Sequence, residues 1–221
     1  MSPANFLYPD TLIIIFAREP VYGRVKTRLI PALGKQGATE LYQRFLDYAI
    51  HQHTTNQRGI NSLNLSPVNV CITPESRDSF FLEMEGSDRF MCSRQQGDEL
   101  GSRMYNALEA ALQNYSKAIL IGTDCPFLTP DDIQQAITAL DNHDVVFSPA
   151  SDGGYVLIGV NKLITELFEA IDWGTQRVMA QTRNVMKTHG LSWRELSEKN
   201  DIDIKSDLKY LMEHDEFKDI I

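Results

Sequence analysis

The sequence predicts an α/β protein in which helices cover both faces of a mostly parallel β-sheet. Short, continuous apolar runs such as residues 13–16 and 118–122 are typical of strands buried on both faces, as parallel strands are. Segments with apolar residues at helical spacing follow these runs, and this alternation indicates strand–helix–strand units. The length of 221 residues fits one domain over residues 1–221, with residues 1–10 as a short N-terminal extension.

The predicted elements follow one another in a regular order. The strand at residues 13–16 is followed by a helix at residues 37–56, because Leu41, Phe45 and Tyr48 recur at helical spacing. Further strands are predicted at residues 68–73, 89–93, 118–122, 144–148, 155–160 and 192–196. Further helices are predicted at residues 78–85, 100–114, 130–140, 163–170, 176–188 and 206–214.

Local signals support the boundary of one helix and one loop. Thr129 is a typical N-cap residue, Pro130 suits the first helical position, and Asp131 and Asp132 favour the positive end of the helix dipole. Residues 54–67 show neither strand nor helix periodicity. We expect an exposed loop there.

Charge and apolar runs argue against nucleic-acid and membrane partners. A formal net charge of −9 with a pI near 5.0 repels polyanions. The longest apolar run, residues 12–17, is far shorter than the roughly 20 residues that a membrane helix needs. Cys71, Cys92 and Cys125 form no CxxC pair, which indicates free thiols in a reducing compartment. The sequence therefore predicts a cytoplasmic protein with no membrane span and no nucleic-acid partner.

Positive charge is concentrated directly after the first predicted strand. The stretch FAREPVYGRVKTRLIPALG, residues 16–34, contains Arg18, Arg24, Lys26 and Arg28. Ligands of open parallel sheets bind beyond the carboxyl ends of the strands, where basic side chains and loop amides hold phosphates. The Walker A pattern is absent, because the lysine lacks the glycines that precede it in that motif. A nucleotide is the natural ligand, and a solvated basic loop is the alternative.

An aspartate ends the second confident strand. Asp124 follows the apolar residues 118–122 and precedes Cys125-Pro126, so its carboxylate is expected at the rim of the sheet. Magnesium commonly takes one or two carboxylates and completes its shell with water and phosphate oxygens. Asp124 is thus a candidate metal ligand. The alternative is that its carboxylate caps the following turn.

A pair of glycines separates the next two predicted strands. In Asp152-Gly153-Gly154-Tyr155 the glycines permit backbone conformations or close approaches that a β-carbon would forbid. Asp152 is a candidate second metal ligand, acceptor-binding group or general base. A plain hairpin turn of the Asp-Gly type is an equally supported alternative.

Six ordered segments spread over almost the whole chain resemble one bacterial family. These segments are FAREPVYGRVKTRL, QQGDELGSRM, LIGTDCPFLTPDDI, PASDGGYVLIGV, IDWGTQRV and DIDIKSDLKYL. Through them the chain resembles the glycosyltransferase-A-like transferases of the radical-SAM/selenodomain-associated type, and more distantly it is similar to the molybdenum-cofactor and 2-phospho-lactate guanylyltransferases. The resemblance implies a Rossmann-like α/β/α sandwich of the nucleotide-diphospho-sugar transferase fold, with a nucleotide at the ends of the first strands.

The same resemblance implies roles for particular residues. A divalent cation, Mg²⁺ or Mn²⁺, would be held by Asp124, with Asp203 of the terminal segment as a further contact. The signature loop would contact phosphates through Arg18, Gly23, Lys26, Thr27 and Arg28. The substrate or acceptor side would include Arg103, Gly153, Gly154 and Tyr155.

The chain departs from the family pattern at three positions. Ser151 stands where the family commonly has an acidic residue, Glu99 where it has Asp, and Gly174 where it has Ser. The change at Ser151 removes a possible acid beside Asp152. The family pattern therefore does not identify the acceptor-binding residues of this chain.

These observations favour a glycosyltransferase that uses a nucleotide diphosphate sugar and a small-molecule acceptor. Asp124 would hold the metal across the diphosphate, Lys26 and Arg28 would stabilise the leaving nucleotide, and Asp152 would orient or deprotonate the acceptor. The first alternative is a nucleotidyltransferase, in which the same groups promote attack on a nucleoside triphosphate and release pyrophosphate. The second is a non-catalytic nucleotide-binding protein.

Overall fold

A seven-stranded sheet forms the centre of the protein. The computed structural model describes residues 6–55 and 64–212. The strands are β1 (Thr11–Ala17), β2 (Val68–Ile72), β3 (Met91–Arg94), β4 (Lys117–Gly122), β5 (Val145–Pro149), β6 (Tyr155–Val160) and β7 (Trp193–Glu195). Their order across the sheet is β3-β2-β1-β4-β6-β5-β7.

The sheet is mostly parallel, as predicted. Neighbouring strands run parallel except at β6, which is antiparallel to both β4 and β5. The carboxyl ends of β1 to β5 therefore meet at one edge, and β6 starts from that same edge. The centre of the sheet pairs Ile15 of β1 with Val70 on one side and Ile121 on the other.

Helices pack on both faces of the sheet. They are α1 (Ile30–Thr54), α2 (Asp78–Glu85), α3 (Leu100–Leu112), α4 (Pro130–Ala139), α5 (Val178–Thr188) and α6 (Leu208–Leu211). Because successive strand residues point to opposite faces, Ile13 and Ile15 pack in the cluster that includes side chains of α1 and α4. Leu12 and Ile14 pack in the cluster that includes α3 and α5. The predicted three-layer α/β/α sandwich is confirmed.

Two predicted helices differ from the observed elements. Residues 163–170 form only a 3₁₀ turn at Thr165–Leu167, because Ile164 before it is extended and Phe168 after it has a non-helical φ of −122°. Helix α1 starts earlier than predicted, at Ile30, and contains a break at Gly34, whose φ is 70° and ψ is 172°. The regular part beyond Gly34 contains the helix that apolar spacing predicts.

Parts of other predicted elements lie outside the described residues. The exposed loop expected at residues 54–67 falls largely on residues 56–63, and the end of the last predicted helix falls beyond residue 212. None of the helices in the described part of the chain combines the length and the apolar character that a membrane crossing requires. The three cysteines are free, and Cys71 and Cys125 are buried.

Candidate functional site

A cavity of about 670 Å³ opens at the edge where the parallel strands end. This volume lies within the range of about 300–1,000 Å³ that is typical of small-molecule sites. It is bounded by residues that follow β1, β3, β4 and β5, together with the first residues of β6. The cavity thus lies at the edge where open α/β sheets bind ligands.

The basic loop after β1 is held against α1 by hydrogen bonds. The Arg18 amide donates to the Tyr42 hydroxyl at 2.7 Å, and the Gly23 amide donates to Thr39 Oγ1 at 3.1 Å. Buried Glu19 accepts from the Arg77 amide at 2.8 Å and pairs with the Arg77 guanidinium. The loop therefore presents the exposed Arg18 side chain at the cavity from a fixed backbone.

Lys26 does not point into solvent, unlike its basic neighbours. Its side chain is only 3% exposed, and its Nζ lies 2.8 Å from Asp124 Oδ1 and 2.6 Å from the Ile202 carbonyl oxygen, to which it donates. Its φ of 47° is left-handed, a conformation that costs about 1–2 kcal/mol for a residue with a β-carbon. The buried contacts of Lys26 maintain this unfavourable backbone conformation.

Asp124 connects Lys26 to the cavity. Its side chain is 53% exposed and lines the cavity, while its carboxylate contacts Lys26 Nζ rather than an amide of the next turn among the described residues. The Ile202 amide donates to the Asp124 carbonyl at 2.9 Å. The carboxylate is thus fixed on one side and open on the other, as a ligand for a hard cation must be.

The terminal segment adds two carboxylates beside Asp124. Asp201 and Asp203 flank Ile202 and both line the cavity. Burial, followed by the nearby Asp152 carboxylate, raises the pKa of Asp201 to about 6. Like-charged carboxylates therefore converge on this part of the cavity.

Arg28 contacts the terminal segment rather than the cavity. Its Nη1 lies 2.5 Å from Asp203 Oδ2, and it is not among the residues that line the cavity. The Asp203 amide in turn donates to Asp207 Oδ2 at 3.0 Å. Arg28 thus holds the segment that carries Asp203.

The Asp-Gly-Gly segment is both a hairpin turn and a close contact. It connects antiparallel β5 and β6, and the Gly154 amide donates to Asp152 Oδ1 at 2.8 Å. Gly153 has a φ of 92°, and a β-carbon there would lie 2.4 Å from the Gln176 carbonyl oxygen. The Met179 amide donates to the Gly153 carbonyl at 2.9 Å, which attaches the turn to the start of α5. Asp152 is thereby held at the cavity.

The remaining wall of the cavity is aromatic and closely packed. A β-carbon on Gly101 would lie 2.6 Å from Trp173 Nε1, so the indole lies directly on the start of α3. The Tyr155 and Trp173 rings meet edge to face at 6.2 Å, and burial raises the pKa of the Tyr155 phenol. Arg103 is held by the Gly97 carbonyl at 2.9 Å and also pairs with Glu75. This wall supplies shape rather than acid–base chemistry.

The structure brings most of the predicted site residues to one cavity. Those that line it are Arg18, Arg103, Asp124, Asp152, Gly154, Tyr155 and Asp203. Those that lie outside the lining are Gly23, Lys26, Thr27, Arg28 and Gly153. Sequence reasoning missed Tyr42, Gln95 and Asp201, which also line it. Asp201 had a signal, because it is the first acid of the Asp-Ile-Asp segment, whereas the other two are recognised only from tertiary contacts.

The oxygen-rich part of the cavity suits a divalent cation that is completed by substrate. In the described part of the chain, no three His, Cys, Asp or Glu side chains form a metal site by themselves. Mg²⁺ commonly binds one or two carboxylates plus phosphate oxygens and water, so such a closed site is not required. The half-exposed Asp124 and the neighbouring Asp201 and Asp203 provide hard oxygen ligands with excess negative charge. These residues fit Mg²⁺ or Mn²⁺.

Solved structures share this fold. A provisionally named nucleotide-diphospho-sugar transferase from Desulfovibrio desulfuricans G20 is similar over 95% of this chain and 90% of that chain, with 28% identity and a TM-score of 0.84. A cytidylyltransferase from Leptospira borgpetersenii serovar Hardjo-bovis (strain JB197) is similar over 96% and 92%, with 16% identity and a TM-score of 0.59. Rv0371c from Mycobacterium tuberculosis H37Rv, solved as a manganese complex, is similar over 93% and 99%, with 14% identity and a TM-score of 0.52.

These likenesses confirm the predicted nucleotide-diphospho-sugar transferase fold. No curated protein matches the sequence. The family model DUF2064, described as "Uncharacterized protein conserved in bacteria", matches residues 59–175, which is more than half of the chain. The chain therefore belongs to the DUF2064 family.

Proposed function

We propose that this protein is a metal-dependent transferase that uses a nucleotide-activated donor, and that it transfers a glycosyl group from a nucleotide diphosphate sugar. The observation that carries the proposal is the Asp124 carboxylate, which is held by buried Lys26 at 2.8 Å and open to a cavity at the carboxyl edge of the sheet. The likeness to the Desulfovibrio desulfuricans structure supports the donor class. So does the resemblance to the radical-SAM/selenodomain-associated transferases.

The charges around the cavity suit a diphosphate. Asp124, with Asp201 or Asp203 beside it, would hold Mg²⁺ or Mn²⁺, which neutralises charge on the diphosphate as it leaves. Arg18 lies exposed on the same rim and makes no ion pair with a described residue. Its guanidinium is therefore available for a phosphate, which it binds with planar, charge-assisted hydrogen bonds.

Lys26 acts through Asp124 in this arrangement. Because its amine already contacts the Asp124 carboxylate and the Ile202 carbonyl, Lys26 positions these groups rather than contacting the leaving nucleotide. Arg28 likewise positions the terminal segment through Asp203. The direct phosphate contact of the signature loop is therefore assigned to Arg18.

Asp152 is proposed to orient or deprotonate the acceptor. Its side chain is exposed, lines the cavity and has one oxygen bonded to the Gly154 amide at 2.8 Å. That hydrogen bond fixes the carboxylate and leaves its other oxygen for an acceptor hydroxyl. The aromatic wall with Trp173 and Tyr155 would contact the less polar side of the acceptor.

Nucleotidyl transfer is the second candidate, favoured by the shared fold of the cytidylyltransferase from Leptospira borgpetersenii. Product analysis separates the two reactions. Incubation with Mn²⁺, nucleotide sugars and candidate acceptors releases nucleoside diphosphate in glycosyl transfer, whereas nucleoside triphosphates release pyrophosphate in nucleotidyl transfer. Asp152→Asn should reduce either product without abolishing donor binding. If no donor of either class binds in the presence of metal, both proposals are wrong.

A further inference from the structure

We propose that Arg103 binds the diphosphate of the donor together with Arg18. The inference rests on the proposed function, because it requires that a nucleotide occupies the cavity. The family resemblance places Arg103 on the substrate or acceptor side without naming the group that it contacts, and this inference names that group. It is carried by a sheltered guanidinium with free donors and by the division of charge along the edge of the sheet.

The Arg103 guanidinium is held by the protein but keeps free hydrogen-bond donors. Its side chain is only 18% exposed, its Nε donates to the Gly97 carbonyl at 2.9 Å, and its Nη2 donates to Glu75 Oε1 at 2.9 Å. Within residues 6–55 and 64–212, its Nη1 has no hydrogen-bond partner, yet this atom is not among the buried ones that lack a partner. It is therefore accessible. Because Arg103 lines the cavity, a ligand there can take up its remaining donors.

Arg103 and Arg18 lie around the same carboxylate. Glu75 follows β2, which lies between β1 and β3 in the sheet, and its carboxylate pairs with Arg103. The pKa of the Glu75 carboxyl is lowered first by its own backbone amide, then by the hydrogen bond from Arg103, and also by the charge of Arg18. Both guanidinium groups are thus within electrostatic reach of one anionic group.

The charged residues of the cavity are divided between two halves of the sheet edge. Arg18 follows β1 and Arg103 lies in the first turn of α3, which follows β3, so both arginines belong to the β3-β2-β1 half. Asp98 is the exception on that half, but it is exposed and therefore screened by solvent more than Arg103 is. The other lining carboxylates belong to the β4-β6-β5 half or to the terminal segment bound to it, and they are Asp124, Asp152, Asp201 and Asp203.

A diphosphate fits this division of charge. A cation held at Asp124 would approach it from the β4 side, and a nucleoside diphosphate carries more negative charge than one divalent cation neutralises. Guanidinium groups bind phosphate oxygens with paired, charge-assisted hydrogen bonds, and Arg18 and Arg103 offer them from the opposite half. An anionic acceptor would instead meet the Asp152 carboxylate, which the proposed function assigns to the acceptor and which would repel it. The donor is therefore the favoured source of the anion.

Calorimetric titration with inorganic pyrophosphate and with ADP, CDP, GDP and UDP, each in Mn²⁺, tests the inference. Arg103→Ala should weaken the binding of pyrophosphate and of the best-binding nucleoside diphosphate by about tenfold or more. The matched control is Arg94→Ala. Arg94 holds the loop that contains Glu75, through the Pro74 and Ser76 carbonyls, but it does not line the cavity. Its replacement should change both affinities by about threefold or less.

Two further variants separate phosphate binding from support of the loop. Arg103→Lys keeps the charge but loses the planar fork, so it should weaken the binding of both ligands by about threefold or more. Glu75→Gln keeps a hydrogen-bond acceptor for Arg103 but removes a negative charge beside the diphosphate, so it should bind both ligands more tightly than the wild type does. A loss of affinity in Glu75→Gln as large as that in Arg103→Ala would show that the ion pair only maintains the loop, and it would overturn the inference.

The outcomes separate this inference from the proposed function. If a nucleoside diphosphate binds the wild type and Arg103→Ala retains its affinity, the assignment of Arg103 is wrong and the nucleotide site stands. If Arg103→Ala weakens the nucleoside diphosphate but not pyrophosphate, Arg103 contacts the nucleoside and the inference is overturned. If pyrophosphate does not bind the wild type, the nucleoside diphosphate affinities of Arg103→Ala and Arg94→Ala decide, and equal values overturn the inference. If Arg103→Ala does not fold, Arg103→Lys decides, and full affinity in that variant overturns the inference. If neither pyrophosphate nor any nucleoside diphosphate binds, the proposed function fails and this inference fails with it.

Discussion

Replacing Lys26 by alanine should weaken both the fold and the nucleotide site. The substitution removes the charged hydrogen bond from Nζ to the Ile202 carbonyl and the ion pair with Asp124. A hydrogen bond from a charged donor contributes about 1.5–3 kcal/mol. The ion pair adds at most about 1 kcal/mol, because the Asp124 side chain is 53% exposed and therefore screened by solvent. The left-handed backbone remains equally unfavourable with alanine.

We therefore expect the free energy of unfolding to fall by about 2–3 kcal/mol, as measured by urea denaturation. Metal-dependent nucleotide binding should weaken by about tenfold or more, because the freed Asp124 carboxylate no longer has a fixed orientation. The matched control is Arg24→Ala, which removes an exposed charge of the same loop. Lys26→Met retains most of the stem and isolates the effect of the charge. Equal nucleotide affinities in Lys26→Ala and Arg24→Ala would refute this role of Lys26.

Three further predictions test the turn, a buried histidine and the thiols. Gly153→Ala should lower the free energy of unfolding by more than 2 kcal/mol in urea denaturation, because its β-carbon would lie 2.4 Å from the Gln176 carbonyl oxygen. The control Gly174→Ala also has a positive φ but has open space around it, so it should lower the free energy of unfolding by only about 1 kcal/mol. Burial lowers the pKa of His53 from 6.5 to about 4. Between these pH values the unfolded chain binds a proton at His53 that the folded protein does not bind, so the free energy of unfolding should fall by up to about 3 kcal/mol as the pH drops from 6.5 toward 4. A pH series of unfolding curves should show this loss in the wild type and a smaller one in His53→Leu. Burial raises the pKa of the Cys71 thiol to about 11 and that of the Cys125 thiol to about 12. A thiol reagent at pH 8 should therefore modify both cysteines far faster in urea than in the native protein. Equal modification rates in the native and the unfolded protein would contradict the buried positions.

Strand positions could be predicted because their signal is local. Residues 12–17 of β1 and 118–121 of β4 are continuously apolar, which follows directly from burial on both faces. The direction of β6 has no such signal, because Tyr155–Val160 is equally apolar whether it runs parallel or antiparallel. The short Asp-Gly-Gly connection to β5 allows only an antiparallel neighbour. The interpretation of residues 152–154 as a hairpin turn therefore already implied the antiparallel direction of β6.

The site was predictable where single residues follow strands. Arg18 and Asp124 line the cavity because each follows the carboxyl end of a central strand. The role of Lys26 was not predictable in this way, because its partner carbonyl at Ile202 lies 176 residues away in sequence. Gln95 was missed for the same physical reason. Its position at the cavity depends on which backbone carbonyls its amide meets, and no local pattern records that contact.

The most direct test is a titration of wild-type protein and Asp124→Asn with a nucleoside diphosphate, with and without Mn²⁺. The wild-type protein should bind the nucleotide at least tenfold more tightly with Mn²⁺, and Asp124→Asn should lose this dependence, because a neutral amide is a poor ligand for a hard cation. Asp88→Asn, at an exposed position between α2 and β3, serves as the control and should bind as the wild type does. Unchanged, metal-independent affinity in Asp124→Asn would contradict a metal-assisted nucleotide site and would favour a non-catalytic binding protein.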